Sequence, residues 1–356
     1  MINQKDRLSR LLFLEFNQEK AKELFNSTSL GKTNEELYVP INPDYLIKKI
    51  NNNEVPKDLP VAEFISGMAY ALALDPDFKF APQYLEMLKG YPLTETILKK
   101  KIADLFNAGQ KVEAFILLKG LYEVAGDEET ENILLATGEE LAIDDSEWLD
   151  EVLELADLAI ENGNPTGYLI KGSLEGVRGN EGNSLFALKK YIELGGEETS
   201  ELSTRIEELS RNTKADEAYA MLYDDPKGAL KIFLELYSLE GTNPRLVYSI
   251  AVAYRLLENY EKAIFYLEDA QALDPGFFDV LNELGLNYAL LNDYVTAKDY
   301  FKAIFNATHE FGPMTNLIIC MFNLGETEEA LELYRQAEEI KPDDEILEEI
   351  RKAYLD

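Results

Sequence analysis

A single cysteine and a single histidine occur in 356 residues, and each scarcity removes a class of chemistry. One thiol, Cys320, cannot close a disulfide within the chain or build a multi-cysteine metal site, and such usage fits a reducing cytoplasm. One imidazole, His309 in Thr308-His309-Glu310-Phe311-Gly312, excludes a zinc-protease pair or a multi-histidine centre. It reads as a helix-end histidine meeting backbone carbonyls. No apolar run approaches the roughly 18 residues of a membrane span. Met1-Ile2-Asn3-Gln4-Lys5-Asp6-Arg7 leads into charged sequence instead of a signal peptide. A cytoplasmic chain without membrane insertion is the expectation.

Motifs for bound groups are missing too. The glycines of residues 172–182 lack the Gly-Lys-Ser/Thr ending of a phosphate loop. Asp144-Asp145-Ser146-Glu147 lacks the alternating ligands, central glycine and distal glutamate of a calcium loop. It reads as an acidic cap for the helix of Trp148. Cys320 sits in the apolar run Ile318-Ile319-Cys320-Met321-Phe322, where cysteine packs as a small hydrophobe. No catalytic residue, metal ligand or cofactor is assigned, and the chain is read as a non-enzyme.

Bases are scarce: 34 Lys/Arg stand against 67 Asp/Glu, a formal charge of −33. Up to Gly126 the balance is −1, with 16 bases and 17 acids; from Asp127 onward it is −32, with 18 and 50. No base lies between Lys119 and Lys171, while 15 acids occur from Glu123 to Glu161. Such a charge repels phosphate backbones and anionic lipid, and it favours a protein or peptide partner with a basic face. Two helices are expected here, over residues 128–143 and 146–162. Ile133, Leu134, Leu141, Trp148, Val152 and Leu155 would face inward. Glu139, Asp150, Glu154 and Asp157 would form an outward acidic face open to that partner.

What the chain does contain is a repeat. Asn259-Tyr260-Glu261-Lys262-Ala263 aligns with Asp293-Tyr294-Val295-Thr296-Ala297 at an offset of 34 residues, and Ile250-Ala251 and Tyr254 map onto Leu284-Gly285 and Tyr288. Ala229 lies 34 before Ala263, and Ala330 lies 33 after Ala297. Within one copy Val247, Ile250, Ala251 and Tyr254 form one helical stripe, and Ala263, Leu267 and Ala270 a second. Glu258-Asn259 breaks the period as a tight turn, and Asp274-Pro275 closes the unit. Each unit is two antiparallel helices, with alanine at the close crossings.

These residues resemble the tetratricopeptide repeat. The pattern appears as Leu281, Leu284-Gly285, Tyr288, Ala297 and Phe301 in one copy. In the next it appears as Met314, Leu317, Met321, Ala330, Tyr334, Ala337 and Pro342. The match is strong over about residues 225–342. It weakens toward a copy at residues 95–126 (Leu98, Ile102, Leu105, Ala114, Leu118, Leu121). Residues 166–196, with extra glycines, look like a Sel1-type repeat with a longer turn. The resemblance implies an all-α, right-handed superhelical solenoid of antiparallel helix pairs, with no sheet. Three regions are expected. Residues 1–92 are helical without clear repeats, at Lys5–Asn26, Phe64–Leu74 and Pro82–Lys89, with a polar loop at Asn26–Pro43. Residues 93–342 carry the repeats. Residues 343–356 form a capping helix with Asp343 as its N-cap.

The resemblance also implies a groove lined by the first helices of each pair that accepts a peptide or helix. The positions carried over are Arg245, Tyr248, Val252 and Arg255 in one copy and Asp279, Asn282, Leu286 and Ala289 in the next. Thr315, Ile319 and Phe322 follow in the third. The reading is a scaffold or adaptor holding a protein segment, with a basic one favoured by the charge, and without nucleic acid. A second reading resembles the bacterial peptide-receptor regulators, with residues 1–92 as a helical effector region switched by peptide.

Overall fold

The computed structural model describes residues 7–25, 36–42, 45, 47, 60–240 and 243–356. They are overwhelmingly helical and divide into two compact units, Met1–Leu209 and Ser210–Asp356. The expected boundary at residue 92 and the helix pairs from 93 onward are a description by repeat, whereas the division into units falls inside the long helix Ser200–Met221.

The first unit opens with two strands, β1 (Leu12–Phe16) and β2 (Leu37–Ile41), which pair antiparallel from Leu12 opposite Ile41 to Phe16 opposite Leu37. This corrects two expectations. The helix expected over Lys5–Asn26 is instead β1 followed by α1 (Gln18–Phe25), and the expected loop Asn26–Pro43 contains β2. Residues 26–35 of that loop lie outside the described residues. The physical reason is legible: Leu-Phe-Leu-Glu-Phe and Leu-Tyr-Val-Pro-Ile are short runs of residues that suit a half-buried pleated surface, and each finds a partner in the other. A small sheet therefore sits on an otherwise helical repeat fold.

The sheet rests on α2 (Val61–Leu74), a helix buried on most of its faces because Phe64, Ile65, Met68, Ala69, Ala71 and Leu72 surround its axis. Gly67 lets β2 approach so closely that a Cβ there would meet the Pro40 carbonyl oxygen at 1.9 Å. The helices α3 (Ala81–Gly90), α4 (Thr94–Asn107), α5 (Lys111–Ala125) and α6 (Glu128–Asp144) follow. After one turn of 3-10 helix at Ser146–Trp148 come α7 (Leu149–Glu161), α8 (Thr166–Arg178) and α9 (Glu181–Glu193). The Sel1-like reading of the glycines expected a longer turn. The connection between α8 and α9 is only Gly179-Asn180, and Gly172 instead marks a close crossing where a Cβ would meet Leu188 at 2.5 Å.

The long helix α10 (Ser200–Met221) leads into the second unit. It continues with α11 (Pro226–Glu240), α12 (Pro244–Leu256), α13 (Tyr260–Leu273), α14 (Phe278–Leu290) and α15 (Tyr294–Thr308). The last three helices are α16 (Phe311–Asn323), α17 (Thr327–Ile340) and α18 (Glu345–Tyr354). The sequence period becomes a structural one at the turns. The amides of Gln110, Asn180, Asn259, Asp293 and Glu326 each donate to the carbonyl five residues back, at 2.9–3.0 Å. Each follows a left-handed residue, respectively Gly109, Gly179, Glu258, Asn292 and Gly325. This is the glycine-type helix ending, and it recurs in both units. Asn259 and Asp293 then cap the next helix, accepting from Lys262 N and Thr296 N.

The crossings follow the sequence stripes. Ala263, Leu267, Ala270, Ala297, Ala330 and Ala337 have no exposed surface. Tyr254 stacks on Tyr266 at 5.5 Å and 13°, and Tyr288 on Tyr300 at 5.8 Å and 11°, the same contact one repeat later. The final helix α18 buries Leu347 and Ile350 against α16 and α17, as a capping helix does. Its N-cap is Asp344, which accepts from Ile346 N, one residue later than expected.

Candidate functional site

The residues carried over to a groove fall on α12, α14 and α16, and the structure separates them into those with free surface and those without. Arg245 is exposed, its guanidinium 4.8 Å above the Tyr219 ring. Tyr248 is half-buried with its ring 5.1 Å from Phe277. Burial, and after it the carboxylates of Glu283 and Asp279, push its phenol well above the usual tyrosine range. Asn282 is half-buried and makes no hydrogen bond among the described residues. Leu286 is half-buried beside Ala297, Phe301 and Leu317, and Ile319 is half-buried beside Met314 and Ile318.

Four of the expected groove residues are placed otherwise. Val252 is 1 % exposed and packs in the core with Phe233 and Leu236, so it has no surface for a partner. Thr315 is also 1 % exposed, and its hydroxyl donates to the Gly312 carbonyl at 2.9 Å. Both lie on the same helical face as the open residues, Val252 four residues after Tyr248 and Thr315 four before Ile319. Their surface is removed by what packs over that part of the face, which for Val252 includes Phe233 and Leu236 of α11. Arg255 is not a free anchor, since its Nε and Nη2 donate to Glu283 at 2.6 and 3.4 Å. Phe322 is covered by Tyr354 of α18, the rings 5.0 Å apart and 8° from parallel, and the Tyr354 hydroxyl accepts from Asn323.

The Arg255–Glu283 pair spans 28 residues and so joins α12 to α14. Glu283 is 7 % exposed, and a buried carboxylate is retained only with such a partner. Glu283, Phe277, Tyr219 and Tyr354 were not singled out from the sequence. Glu283 could have been: Arg255 in the last turn of one first helix and an acid in the middle of the next sit within reach once the offset of 34 is known.

The expected acidic face is largely engaged within the chain. Asp150 pairs with Arg178, and Asp157 with Lys171 at 2.5 Å. Glu139 is half-buried, and burial raises its carboxyl above the usual range despite a hydrogen bond from Ser173. Of the four, Glu154 alone is exposed without a partner among the described residues. The stretch without bases borrows them from its flanks: Lys111 reaches Glu140 and Asp144, and Lys119 reaches Glu151. Ile133, expected in the core, is 46 % exposed; Leu134, Leu141, Trp148 and Val152 are buried as expected.

His309 ends α15 in a left-handed conformation, its Nδ1 2.9 Å from the Phe305 carbonyl oxygen. Cys320 is buried, and burial pushes its thiol up to about 11. Among the described residues no group of three or more His, Cys, Asp or Glu is placed to hold a metal ion, and no helix is long and apolar enough to cross a membrane.

The family model described as "Tetratricopeptide repeat" matches residues 244–277 and 321–344, the first of which is the pair α12–α13 with its closing turn. Over those residues the chain carries tetratricopeptide repeat sequence. Three solved structures illustrate the likeness. The chain is 18% identical to MamA, over 54% of this chain and 95% of that one, with a TM-score of 0.36. It is 19% identical to TTC0263, a thermophilic tetratricopeptide protein of Thermus thermophilus, over 54% and 98%, with a TM-score of 0.36. It is 13% identical to PilW, a type IV pilus biogenesis factor, over 63% and 99%, with a TM-score of 0.37. No curated protein matches the chain. The second matched stretch opens at the end of α16, spans α17 and closes at the N-cap of α18.

Proposed function

We propose that the chain is a non-catalytic scaffold of the cytoplasm whose C-terminal tetratricopeptide repeats hold a segment of another protein. The observation that carries this reading is the set of side chains left partly open on three successive first helices: Arg245 and Tyr248 on α12, Asn282 and Leu286 on α14, and Ile319 on α16. Aromatic and apolar surface supplies contact area, while Arg245 and Asn282 supply polar anchors to a backbone or side chain. The Arg255–Glu283 pair fixes α12 against α14 and keeps these groups in place.

A partner of basic character suits the charge of −33, because opposite potentials accelerate encounter and suppress wrong partners. The test is capture from a native lysate by the parent chain and by a triple variant, Arg245→Ala, Tyr248→Ala and Asn282→Ala, with helicity checked by circular dichroism. A specific protein retained by the parent and lost by the well-folded variant is the expected result. Equal retention by both would refute the reading.

A further inference from the structure

Helices α4 and α6 both pack on α5, and between them they leave an apolar cleft of about 240 Å³. Its walls are Ile102 and Phe106 of α4 and Ile133 of α6, and its floor is Leu118 and Leu121 of α5. Phe106 and Ile133 are 39 % and 46 % exposed, so the mouth of the cleft is itself apolar. The cleft continues into an open face of α6. Glu129, Ile133, Ala136, Glu140 and Ile143 are all exposed, and at 100° per residue they fall within about 80° of one another around the helix. Ile143 is 55 % exposed. The opposite face of α6 carries the core residues Leu134, Leu135, Leu141 and Ala142, so the outward isoleucines are not needed for packing.

The charge around this surface is one-sided. Lys99 at the cleft is shared with Glu95. It also lies within electrostatic reach of Asp127, whose carboxyl is held below the usual range first by the Thr130 amide and to a lesser degree by that lysine. Lys111 is shared between Glu140 and Asp144. With Glu129, five carboxylates thus face two lysines. An apolar stripe set in a net anionic surface is the complement of a helix with an apolar stripe set among Lys or Arg.

We propose that the cleft and the outer face of α6 form a second docking surface, distinct from the C-terminal repeats, for a cationic amphipathic helix of another protein. One large apolar side chain of that helix enters the cleft, and others lie along Ile133, Ala136 and Ile143. This rests on the reading of the chain as a protein-binding scaffold but places binding in the other unit.

The probe is an 18-residue peptide of Leu and Lys with its leucines on one helical face. A scrambled peptide of the same composition and a Leu/Glu peptide serve as controls. Affinity is read by fluorescence anisotropy with the full chain at low and physiological salt. Binding at least tenfold tighter than to either control is expected. Ile133→Ser, Phe106→Ser and Ala136→Arg should each reduce it about tenfold or more without lowering the melting temperature, and Tyr248→Ala should leave it unchanged. Equal binding of the scrambled peptide, no binding of the probe, or indifference to all three substitutions would overturn the proposal. Loss with Tyr248→Ala alone would return binding to the C-terminal repeats and overturn this inference only.

Discussion

Gly120 tests whether the close helix crossings are as tight as they look. It lies in the interior of α5 where that helix crosses α2, and a Cβ added there would stand 2.2 Å from the Ala69 carbonyl oxygen and 2.7 Å from its carbon. Real Cβ atoms essentially never come within 3.0 Å, so the two backbones must separate by roughly 0.8 Å or more. No side chain can swing away to relieve it. Overpacking costs ~1–3 kcal/mol, and a clash with backbone that cannot swing aside falls in the upper part of that range, ~2–3 kcal/mol, while alanine returns about 1 kcal/mol of helix preference. A net loss of about 1–2 kcal/mol is expected for Gly120→Ala, a fall of roughly 2–4 °C in melting temperature per kcal/mol in a domain of this size. Gly182, in the first turn of α9, has nothing within 4 Å of its Cβ position. Gly182→Ala should therefore hold or raise the melting temperature. Thermal melts followed by circular dichroism decide it. If Gly120→Ala melts at or above the parent, the packing of α5 on α2 is not as described.

Other substitutions probe other parts of the account. Ala263→Asp places an unpaired carboxylate at a fully buried crossing of α13 and should cost ~2–5 kcal/mol, read by urea denaturation. Glu258 holds φ at 58°, a conformation that costs an L-residue ~1–2 kcal/mol, so Glu258→Gly should gain about 0.5–1 kcal/mol after the entropic penalty of glycine. Removing Arg255 leaves the Glu283 carboxylate buried and unpaired, and Arg255→Ala should destabilise more than the double change Arg255→Ala, Glu283→Gln. The Cys320 thiol, raised to about 11 by burial from its ordinary value of 9.0, stays protonated at pH 8. Its alkylation should be about 100-fold slower or more than in the unfolded chain. The unfolded chain ionises first, so this group's contribution is full below pH 9 and is lost as pH rises toward 11.

Much of the second unit was legible because a helix pair repeated at a fixed offset announces itself in the small residues. Ala229, Ala263, Ala297 and Ala330 keep phase since only a short side chain fits each crossing, and all four are fully buried. The turns were legible for the same reason at Glu258-Asn259. The two strands were not, because Leu12–Phe16 and Leu37–Ile41 each carry a five-residue signal whose meaning depends on a partner far along the chain. The groove face was legible, but not what covers it. Val252 and Thr315 share a face with Tyr248 and Ile319, at a spacing of four residues, and their burial depends on neighbouring packing that sequence spacing does not show. Charge misled most, since sequence adjacency says nothing of the lysines and arginines that reach Glu140, Glu151, Asp150 and Asp157 from neighbouring helices. Ile133 fitted a core stripe by composition, yet α6 already had one on its other face.

The central claim is that α12, α14 and α16 hold a protein segment, and photo-crosslinking addresses it most directly. A benzoylphenylalanine is placed at Asn282, half-open on α14, and separately at Glu332, exposed on α17, a helix that carries none of the proposed groove residues. Both chains are irradiated in native lysate. A discrete protein adduct from position 282, absent from position 332 and competed by excess parent chain, is the predicted result. Adducts at 332 but not at 282, or none at either, would contradict the account.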